Sequence, residues 1–468
     1  MSFIYGLAVV LVIFEGIIIQ CEGGGAASSN RQPDAPTIDI KEGSPFLPND
    51  LIELIVSKTD FKTIKKAVRW GIVHETGLVM RRKLQNCIIL IKMMKFNGGI
   101  HEYYKHGDLF LKFGDYQELI SFFDKFGDQV KKIEFNNRFD IQHNEISKNI
   151  INRIKRCAQN LEELRINTRN DAGFWQEMSN GENDIIFPEV KKFKFKGESM
   201  RNKFELNAIF PKLESFELIG DLADVNCLAN VRTLKELTLI SRTMEEDQLE
   251  YIFKNNRNMT KITLRADRAE IMHWIAKDLT ELKTLGLIFP DVNFLLRAYN
   301  NPVYKLPSVT HFIITLQEID ERILFKDLSF DMPHLKRLTL YNCHRTDDRI
   351  VNFIKHFEKL EVLELFEKDY NAVKYIEKLE HIKEFTTNIH EDDFVSLRNM
   401  FERIDEKFQL QTLKLIYFDE SLYKTYETEM KKIIIHLERS MKPTWAWTLI
   451  HREQIETPLK YFMFRRKP

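Results

Sequence analysis

The stretch Leu335–Leu365, LKRLTLYNCHRTDDRIVNFIKHFEKLEVLEL, begins and ends with the same six-residue pattern. LKRLTL at Leu335 and LEVLEL at Leu360 both place apolar residues at the first, fourth and sixth positions, and their starts lie 25 residues apart. Alternation at the end of each hexad is typical of a strand. Between the hexads the period changes, because apolar residues from Ile350 onward follow the i, i+3, i+4, i+7 spacing of a helix face. The stretch therefore predicts a strand followed by a helix.

The hexad recurs along the chain, and the recurrence predicts the architecture. The twelve copies are VKKIEF at Val130, LEELRI at Leu161, VKKFKF at Val190, LESFEL at Leu213, LKELTL at Leu234, MTKITL at Met259, LKTLGL at Leu282, VTHFII at Val309, LKRLTL at Leu335, LEVLEL at Leu360, IKEFTT at Ile382 and LQTLKL at Leu410. Their starts are separated by 21 to 31 residues. A unit of that length cannot bury its apolar side alone, whereas stacked copies can, so the spacing predicts a solenoid. LKYFMF at Leu459 is a candidate capping copy whose register is open.

The chain from Val130 onward resembles a leucine-rich-repeat protein. In LKRLTLYNC, Cys343 occupies the Asn/Cys position of the consensus LxxLxLxxN/C, and the segment after it is similar to the cysteine-type repeat of F-box proteins. LKELTLISR and LEVLELFEK lack that Asn or Cys. We therefore expect about 12 repeats, and this number is open by one or two. The resemblance implies an α/β solenoid with parallel strands on the concave face and helices on the convex face.

In such a solenoid the second, third and fifth hexad positions point outward on the concave face. Charge signs at these positions tend to alternate from copy to copy, so Lys would stand beside Glu at a strand spacing of about 5 Å. Either the charges neutralise one another, or they form a mixed-charge surface for a protein partner. The candidate target-binding residues are Lys192, Lys194, Lys235, Glu236, Lys336, Arg337, Glu361 and Glu364.

Residues 45–91 carry three short helical patterns ahead of the repeats. Pro48 stands at a favoured helix start, and Asp60 is placed to cap the second helix. Three helices of this size make a small core, which we expect to complete its burial against a neighbour. The segment resembles an F-box, a family that opens with Leu-Pro ahead of an apolar helix. It departs from the family at Arg69 and Ile72, where the family has Cys and Trp, and this leaves the packing of the third helix open.

The F-box resemblance implies both a site and partners. The residues that match the adaptor-binding face are Leu47, Pro48, Leu51, Ile52, Ile55, Ile64 and Val68. The implied function is that of a substrate-recognition subunit in a Skp–cullin–F-box ubiquitin ligase, within the Ubl conjugation pathway. Its partners would be the Skp-type adaptor, the cullin complex and an unknown protein target on the repeats. The alternative is that these helices only cap the first repeat of the solenoid.

The other segments complete the expected domain organisation. It comprises an apolar, signal-peptide-like leader (1–22), a flexible linker (23–44), the F-box-like helical domain (45–95), a helical junction or cap (96–129) and the repeats with a C-terminal cap (130–468). An F-box protein acts in the cytoplasm or nucleus. The apolar residues 1–21 leave an alternative, in which the chain enters the endoplasmic reticulum and is a secreted or membrane-tethered repeat protein. The single N-glycosylation sequon, at Asn258, and the lack of clustered cysteines favour the intracellular location.

Composition and motifs favour a folded binding protein without chemistry of its own. Lys+Arg and Asp+Glu both total 69 in 468 residues, so the net charge of zero offers no general attraction to nucleic acid. The five cysteines are far apart and form no CxxC pair, so we expect reduced, buried thiols. The histidines of HEYYKH, which begins at His101, are five residues apart, whereas a zincin helix needs four. With no GxSxG, P-loop or GxGxxG motif, we expect no catalytic residue, metal or cofactor.

Overall fold

The computed structural model describes residues 84, 87–92, 100–105, 108–113, 116–137, 145–168, 186–200, 205–222, 225–241, 247–266, 270–289, 303–316, 330–343, 348–367, 379–388, 394–395, 397–399, 409–417, 423–440, 447–453 and 460–466. The strands are β1 (Cys87–Lys92), β2 (Ile100–Lys105), β3 (Asp108–Phe113), β4 (Lys132–Asn137), β5 (Glu163–Thr168), β6 (Lys192–Met200), β7 (Ser215–Leu222), β8 (Glu236–Ile240), β9 (Lys261–Arg265), β10 (Thr284–Phe289), β11 (Tyr304–Lys305), β12 (His311–Leu316), β13 (Phe330–Asp331), β14 (Arg337–Cys343), β15 (Val362–Glu367), β16 (Glu384–Asn388), β17 (Thr412–Tyr417), β18 (Trp447–Glu453) and β19 (Lys460–Arg466). The helices are α1 (Tyr116–Phe126), α2 (Glu145–Cys157), α3 (Leu206–Ile209), α4 (Asp247–Asn255), α5 (Glu270–Asp278), α6 (Asp348–Lys355) and α7 (Tyr423–Ser440).

One sheet of 17 strands runs through the described part of the chain. From β4 to β17 the strands of this sheet pair in chain order, and every pairing is parallel. The short strands β11 and β13 pair with each other instead. Both ends of the sheet differ from its middle, since β2 joins antiparallel to β3 and both β18 and β17 join antiparallel to β19.

Every one of the twelve hexads forms a strand of this sheet. Each strand begins two residues after its hexad starts, as in Val130 with β4 and Leu410 with β17. The first, fourth and sixth hexad positions are at most 2% exposed in all twelve copies. Each copy therefore contributes one rung, whose apolar side is buried by the rungs above and below it.

A shared backbone contact ties each rung to the next at the second hexad position. The carbonyl oxygen of Lys131 accepts hydrogen bonds from the N–H groups of both Glu162 (2.7 Å) and Glu163 (3.0 Å). The same double acceptance recurs at Glu162, Lys191, Glu214, Lys235, Thr260, Lys283, Thr310, Lys336, Glu361 and Lys383. The ladder of hydrogen bonds thus begins one residue before the N-terminal ends of the strands, at what is called the lower edge of the sheet, and it fixes the register of successive copies.

The helices cover one face of the sheet and determine its curvature. Leu249, Ile252 and Phe253 of α4 and Ile271 of α5 belong to the same buried core as the strand leucines. A helix is about 10 Å wide, whereas neighbouring strands lie about 4.8 Å apart, so the sheet must form the inner, concave side. The helix expected after Ile350 is confirmed as α6, and α1 lies where YQELISFFDKF indicated a helix.

The Asn/Cys turn of the best-matching repeat has a distinct backbone. Between Tyr341 and Cys343 the register against β15 shifts, and Asn342 between them adopts φ 58°. Asparagine is one of the few residues that enter this left-handed region readily. The expected burial of thiols holds for three cysteines, since Cys87, Cys157 and Cys227 are buried and form no disulfide. Burial, with a smaller contribution from Asp128, raises the pKa of Cys157 to about 12.

The helical expectation for residues 96–129 is wrong in its first half. This part forms the hairpin of β2 and β3, and only Tyr116–Phe126 is helical. The reason is the run of apolar and aromatic residues in DLFLKF, where Phe110, Leu111 and Phe113 are buried, because such residues are enriched in strands. The end of the segment assigned to the helical domain, residues 87–92, is also a strand, because β1 pairs in parallel with β3 and β4.

β1 is a thirteenth rung that the sequence reading missed. LQNCII at Leu84 has the hexad spacing, with Cys87 at the fourth position, and Leu84, Cys87 and Ile89 are all 0% exposed. LKYFMF at Leu459, in contrast, is not another rung, since β19 runs antiparallel to β17. It closes the sheet from the opposite direction and so acts as a cap.

A buried asparagine holds the turn between α4 and β9. Asn256 is 3% exposed; its amide Nδ2 donates to the carbonyls of Val231 (2.8 Å) and Ile252 (2.9 Å), and its Oδ1 accepts from the N–H of Leu234 (2.9 Å). We expect Asn256→Ala to lower the free energy of unfolding by about 2 kcal/mol, because three buried backbone groups lose their partner. Urea unfolding measures this loss.

The neighbouring Asn258 provides the control for Asn256. It is an exposed asparagine in the same turn, so Asn258→Ala should change the free energy of unfolding by less than about 0.5 kcal/mol. Equal losses in the two variants would contradict the role given to the buried amide.

Candidate binding surface on the concave face

The concave face is formed by the third and fifth residues of each hexad and by the residue that directly follows the hexad, which is called its seventh position. These residues alternate with the buried fourth and sixth positions, as the burial pattern of β8 and β12 shows. Most of them are half exposed rather than fully exposed, because each lies against its register neighbours on both sides. The face is therefore a set of rows that run across the strands, with side chains about 4.8 Å apart.

Ion pairs link neighbouring rungs, as the alternating signs indicated. At the second hexad position, Lys131 lies 3.3 Å from Glu162, Lys235 lies 3.1 Å from Glu214, and Lys383 lies 2.7 Å from Glu361. The hydrogen bond and charge of Lys383 lower the pKa of Glu361. Exposed pairs of this kind contribute at most about 1 kcal/mol each. At these positions the geometry agrees with the interpretation that the charges neutralise one another.

The eight candidate target-binding residues are spread over four rungs. Arg337 and Glu364 are brought together, with 2.6 Å between Nη2 and Oε1, whereas Lys194 pairs with Glu217 at 3.0 Å. Glu236 accepts a hydrogen bond from Ser215 (3.1 Å), and Lys192 is exposed. Lys235, Lys336 and Glu361 lie at the second position, along the lower edge of the sheet. The assignment of these eight residues to target binding stays a prediction.

The lower edge holds a concavity of about 490 Å³. Lys235 lines it together with the turns that precede neighbouring strands, including the one that carries Asn258. Most of the basic side chains around it have acidic partners, such as Glu189 for Lys212 (2.6 Å) and Glu250 for Lys254 (2.9 Å). These partners offset only part of the positive charge, because six basic side chains and one acidic side chain line the concavity.

Near the first rungs, Arg165 is the centre of a carboxylate cluster. Its Nε lies 2.6 Å from Glu163, its Nη2 lies 2.6 Å from Asp108, and its Nη1 lies 3.8 Å from Glu134. Only 16% of the side chain is exposed, and the guanidinium carbon sits 5.9 Å from the centre of the Phe110 ring. Burial on its own lowers the pKa of Arg165, but Glu163 and Asp108 outweigh it and the pKa is raised. The cluster joins β3 to β4 and β5.

Farther along, a hydrogen-bonded network fixes Arg337. Both carboxylate oxygens of Glu364 are occupied: Arg337 donates to them from Nη2 (2.6 Å) and Nε (3.3 Å), and the Thr339 hydroxyl donates to Oε2 (2.7 Å). His311 Nε2 lies 3.2 Å from the same hydroxyl. Burial, and then the charge of Arg337, lowers the pKa of His311, which favours the neutral ring. The guanidinium is held in one orientation while 47% of the side chain stays exposed.

An aromatic pair lies next to this network. Tyr341 on β14 and Phe366 on β15 directly follow the hexads that start at Leu335 and Leu360. Their ring centres lie 4.8 Å apart, and the ring planes are 11° apart. Tyr341 is 40% exposed, and Phe366 packs on Ile416 and Met463. Burial, and then the charge of Glu364, raises the pKa of Tyr341. This aromatic pair is an exposed, rigid apolar surface within the concave face.

The hexad pattern predicts Arg165 as an outward residue of its strand, but it does not identify Tyr341 and Phe366 as part of the surface. For the two aromatic residues a signal existed, since the seventh position continues the alternation of the hexad by two residues. For the contact of Arg165 with Asp108 no local signal existed, because Asp108 lies 57 residues away in the hairpin.

The adaptor-binding residues of the F-box-like segment, Leu47 to Val68, lie outside the described residues. Within the described ranges, no group of three or more His, Cys, Asp or Glu side chains is close enough together to hold a metal ion. A search of the same part of the chain found no helix with the length and apolarity needed to cross a membrane.

Comparisons with known proteins identify no family for this chain. No family model matches it, and no curated protein does. Among solved structures it is similar to a chain of the TLR13–ssRNA13 complex, at 14% identity and a TM-score of 0.31, over 56% of this chain and 43% of that one. It is also similar to the internalin InlF of Listeria monocytogenes, at 12% identity and a TM-score of 0.25, over 72% and 84%.

The chain thus spans less than half the length of the first of these structures, and at TM-scores this low neither likeness carries an argument. The fold assignment rests on the chain itself. Twelve hexads, each a buried rung of one parallel sheet with helices on its other face, make this part of the chain a leucine-rich-repeat solenoid.

Proposed function

We propose that this protein is a non-catalytic recognition subunit that holds a target protein on the concave face of its solenoid. The observation that carries the proposal is the continuous parallel sheet, whose outward side chains are held in fixed rows by contacts between rungs. A surface that is already ordered loses little conformational entropy when a partner binds. Rigid presentation of many side chains suits the binding of a protein surface.

The size of the face fits a protein partner. Twelve strands at a spacing of about 4.8 Å span about 53 Å, and five or six residues of strand add a width of about 17–20 Å. The product is about 1,000 Å², and a standard protein interface buries about 800 Å² on each side. The concave face alone could therefore form such an interface.

The finer proposal is that this subunit belongs to a Skp–cullin–F-box ubiquitin ligase. Its support is the resemblance of residues 45–91 to an F-box, directly ahead of the repeats. Leu47, Pro48 and Leu51 would dock on the Skp-type adaptor, and the cullin complex would bring the ubiquitin-charged enzyme. The chain would then act by proximity, since it raises the effective concentration of the target near the transfer site. This role places it in the cytoplasm or nucleus.

Co-expression of the full chain with a Skp-type adaptor, followed by size-exclusion chromatography, tests the ligase proposal. We expect co-elution with the wild-type chain and its loss with Leu47→Ala, Pro48→Ala and Leu51→Ala combined, because these residues supply the apolar contact. A matched control carries Ile186→Ala, Val303→Ala and Val395→Ala, three exposed apolar residues outside the F-box-like segment. A folded, soluble wild-type chain that elutes without the adaptor would refute the assignment.

The second candidate is a secreted or membrane-tethered recognition protein, in which the N-terminal helices only cap the solenoid. One observation favours it, because Asn258 and Thr260 of the sequon are both exposed. Expression in a secretory host, with cleavage of the leader and a mass shift on removal of an N-glycan from Asn258, would establish this alternative. A chain that is neither secreted nor membrane-bound in that host, with an unmodified Asn258, would exclude it.

A further inference from the structure

The concave face divides into two parts of different chemistry. At the outward positions of β4–β7 the side chains are polar or charged except for Ile219, and the carboxylates of Glu134, Glu163 and Glu217 all have cationic partners. The outward positions of β14–β19 include Tyr341 and Phe366 together with Val362, Ile416 and Met463. The first part is polar and charged, whereas the second part exposes aromatic surface.

We propose that the Tyr341–Phe366 pair and Arg337 form the anchor site of the concave face, and that its occupant is an extended protein segment with an apolar side chain and a carboxylate. The inference rests on the proposed recognition role of this face and deepens it. Aromatic and arginine side chains that are held rigid contribute most of the binding energy in protein interfaces. Here both are fixed before any partner arrives.

The apolar half of the segment follows from the aromatic pair. The two rings are stacked 4.8 Å apart, and Phe366 packs on Ile416 and Met463, so Phe366 holds Tyr341 in position before a partner binds. The exposed 40% of Tyr341 offers a flat surface that an aliphatic or aromatic side chain would remove from water.

The carboxylate half follows from Arg337. Glu364, which is itself held by the Thr339 hydroxyl, accepts hydrogen bonds from Nε and Nη2 of the guanidinium, and within the described part of the chain Nη1 has no hydrogen bond or ion pair. A second carboxylate therefore has a pre-oriented donor, the geometry in which arginine recognises acids. On β14–β17 and β19 the outward positions carry Arg337, Lys414 and Arg465 against Glu364 and Glu384, so this part of the face is slightly cationic.

The geometry also sets the spacing of the two groups. Arg337 and Tyr341 lie four residues apart on β14, which corresponds to about 13 Å at 3.3 Å per residue. An extended segment covers that distance in about four residues. The recognised motif is therefore an apolar residue and an Asp or Glu, about three to five positions apart.

Selection of a random dodecapeptide phage library on the immobilised full chain tests the proposal. We expect the enriched peptides to share the apolar and acidic pair at this spacing. Their affinity should fall by about tenfold or more in Tyr341→Ala and in Arg337→Gln. The matched controls are Tyr251→Ala, an exposed tyrosine on α4, and Arg232→Gln, an exposed arginine on the lower edge; both should bind within about twofold of the wild type.

Two results would overturn the anchor site. One is the absence of any enriched motif on a folded chain, and the other is enriched peptides that bind Tyr341→Ala as tightly as the wild type. Adaptor co-elution, measured on the same preparations, separates this failure from failure of the ligase role. Loss of peptide binding with retained co-elution in Tyr341→Ala assigns the defect to the concave face alone.

Discussion

Phe193→Ala is expected to lower the free energy of unfolding by about 4 kcal/mol, the largest loss that we anticipate from a single substitution in this chain. Phe193 is 0% exposed at the fourth hexad position of β6. Its ring centre lies 4.8 Å from that of Phe210 and 5.8 Å from that of Phe216, and Phe210 lies 5.4 Å from Phe187. Removal of the ring would leave a cavity that three other aromatic rings cannot easily fill.

Urea unfolding of the full chain measures the loss, and hydrogen exchange shows where it falls. Rungs of a solenoid contact only their neighbours, so faster exchange should concentrate in β5, β6 and β7 and spare β14 to β17. Phe193→Leu is the control, because it keeps most of the volume and should cost about 1 kcal/mol. A Phe193→Ala chain within about 1 kcal/mol of the wild type would show that this cluster is not a stabilising centre.

Arg165→Met is expected to destabilise the chain by about 3 kcal/mol, because it leaves carboxylates behind without their partner. Methionine keeps the apolar contact with Phe110, so the loss reports on charge rather than on packing. Asp108, Glu134 and Glu163 would then repel one another in a partly buried position. Unfolding midpoints in urea at pH 7 measure the effect.

Lys194→Met is the matched control for Arg165→Met. Lys194 also pairs with a carboxylate of the neighbouring rung, but both partners are about one-third exposed, at 36% and 34%. An exposed pair contributes at most about 1 kcal/mol, so the control should change stability little. Similar losses of stability in the two variants would contradict the assignment of Arg165 as the centre of the carboxylate cluster.

The sequence could predict what depends on a local period. All twelve hexads form strands, because alternation alone decides which residues of a strand face the core, and the helix after Ile350 follows from its own 3.6-residue period. The thirteenth rung at Leu84 carried the same signal with Cys87 in a leucine position. The hairpin of β2 and β3 was missed because its aromatic alternation lies in a segment that was interpreted as helical.

By itself, the sequence determined the solenoid, the buried positions of each rung and the alternation of charges between rungs, since these follow from repeats along the chain. Only the tertiary structure decided which distant groups meet. β1 lies between β3 and β4, Asp108 reaches Arg165 across 57 residues, and β19 closes the sheet in the antiparallel direction. Stacking also brings Tyr341 against Phe366, 25 residues later, and so forms the exposed aromatic pair. The physical reason is that a periodic pattern specifies the face of a residue, whereas its neighbour on that face is specified by the pairing of strands that are far apart in the chain.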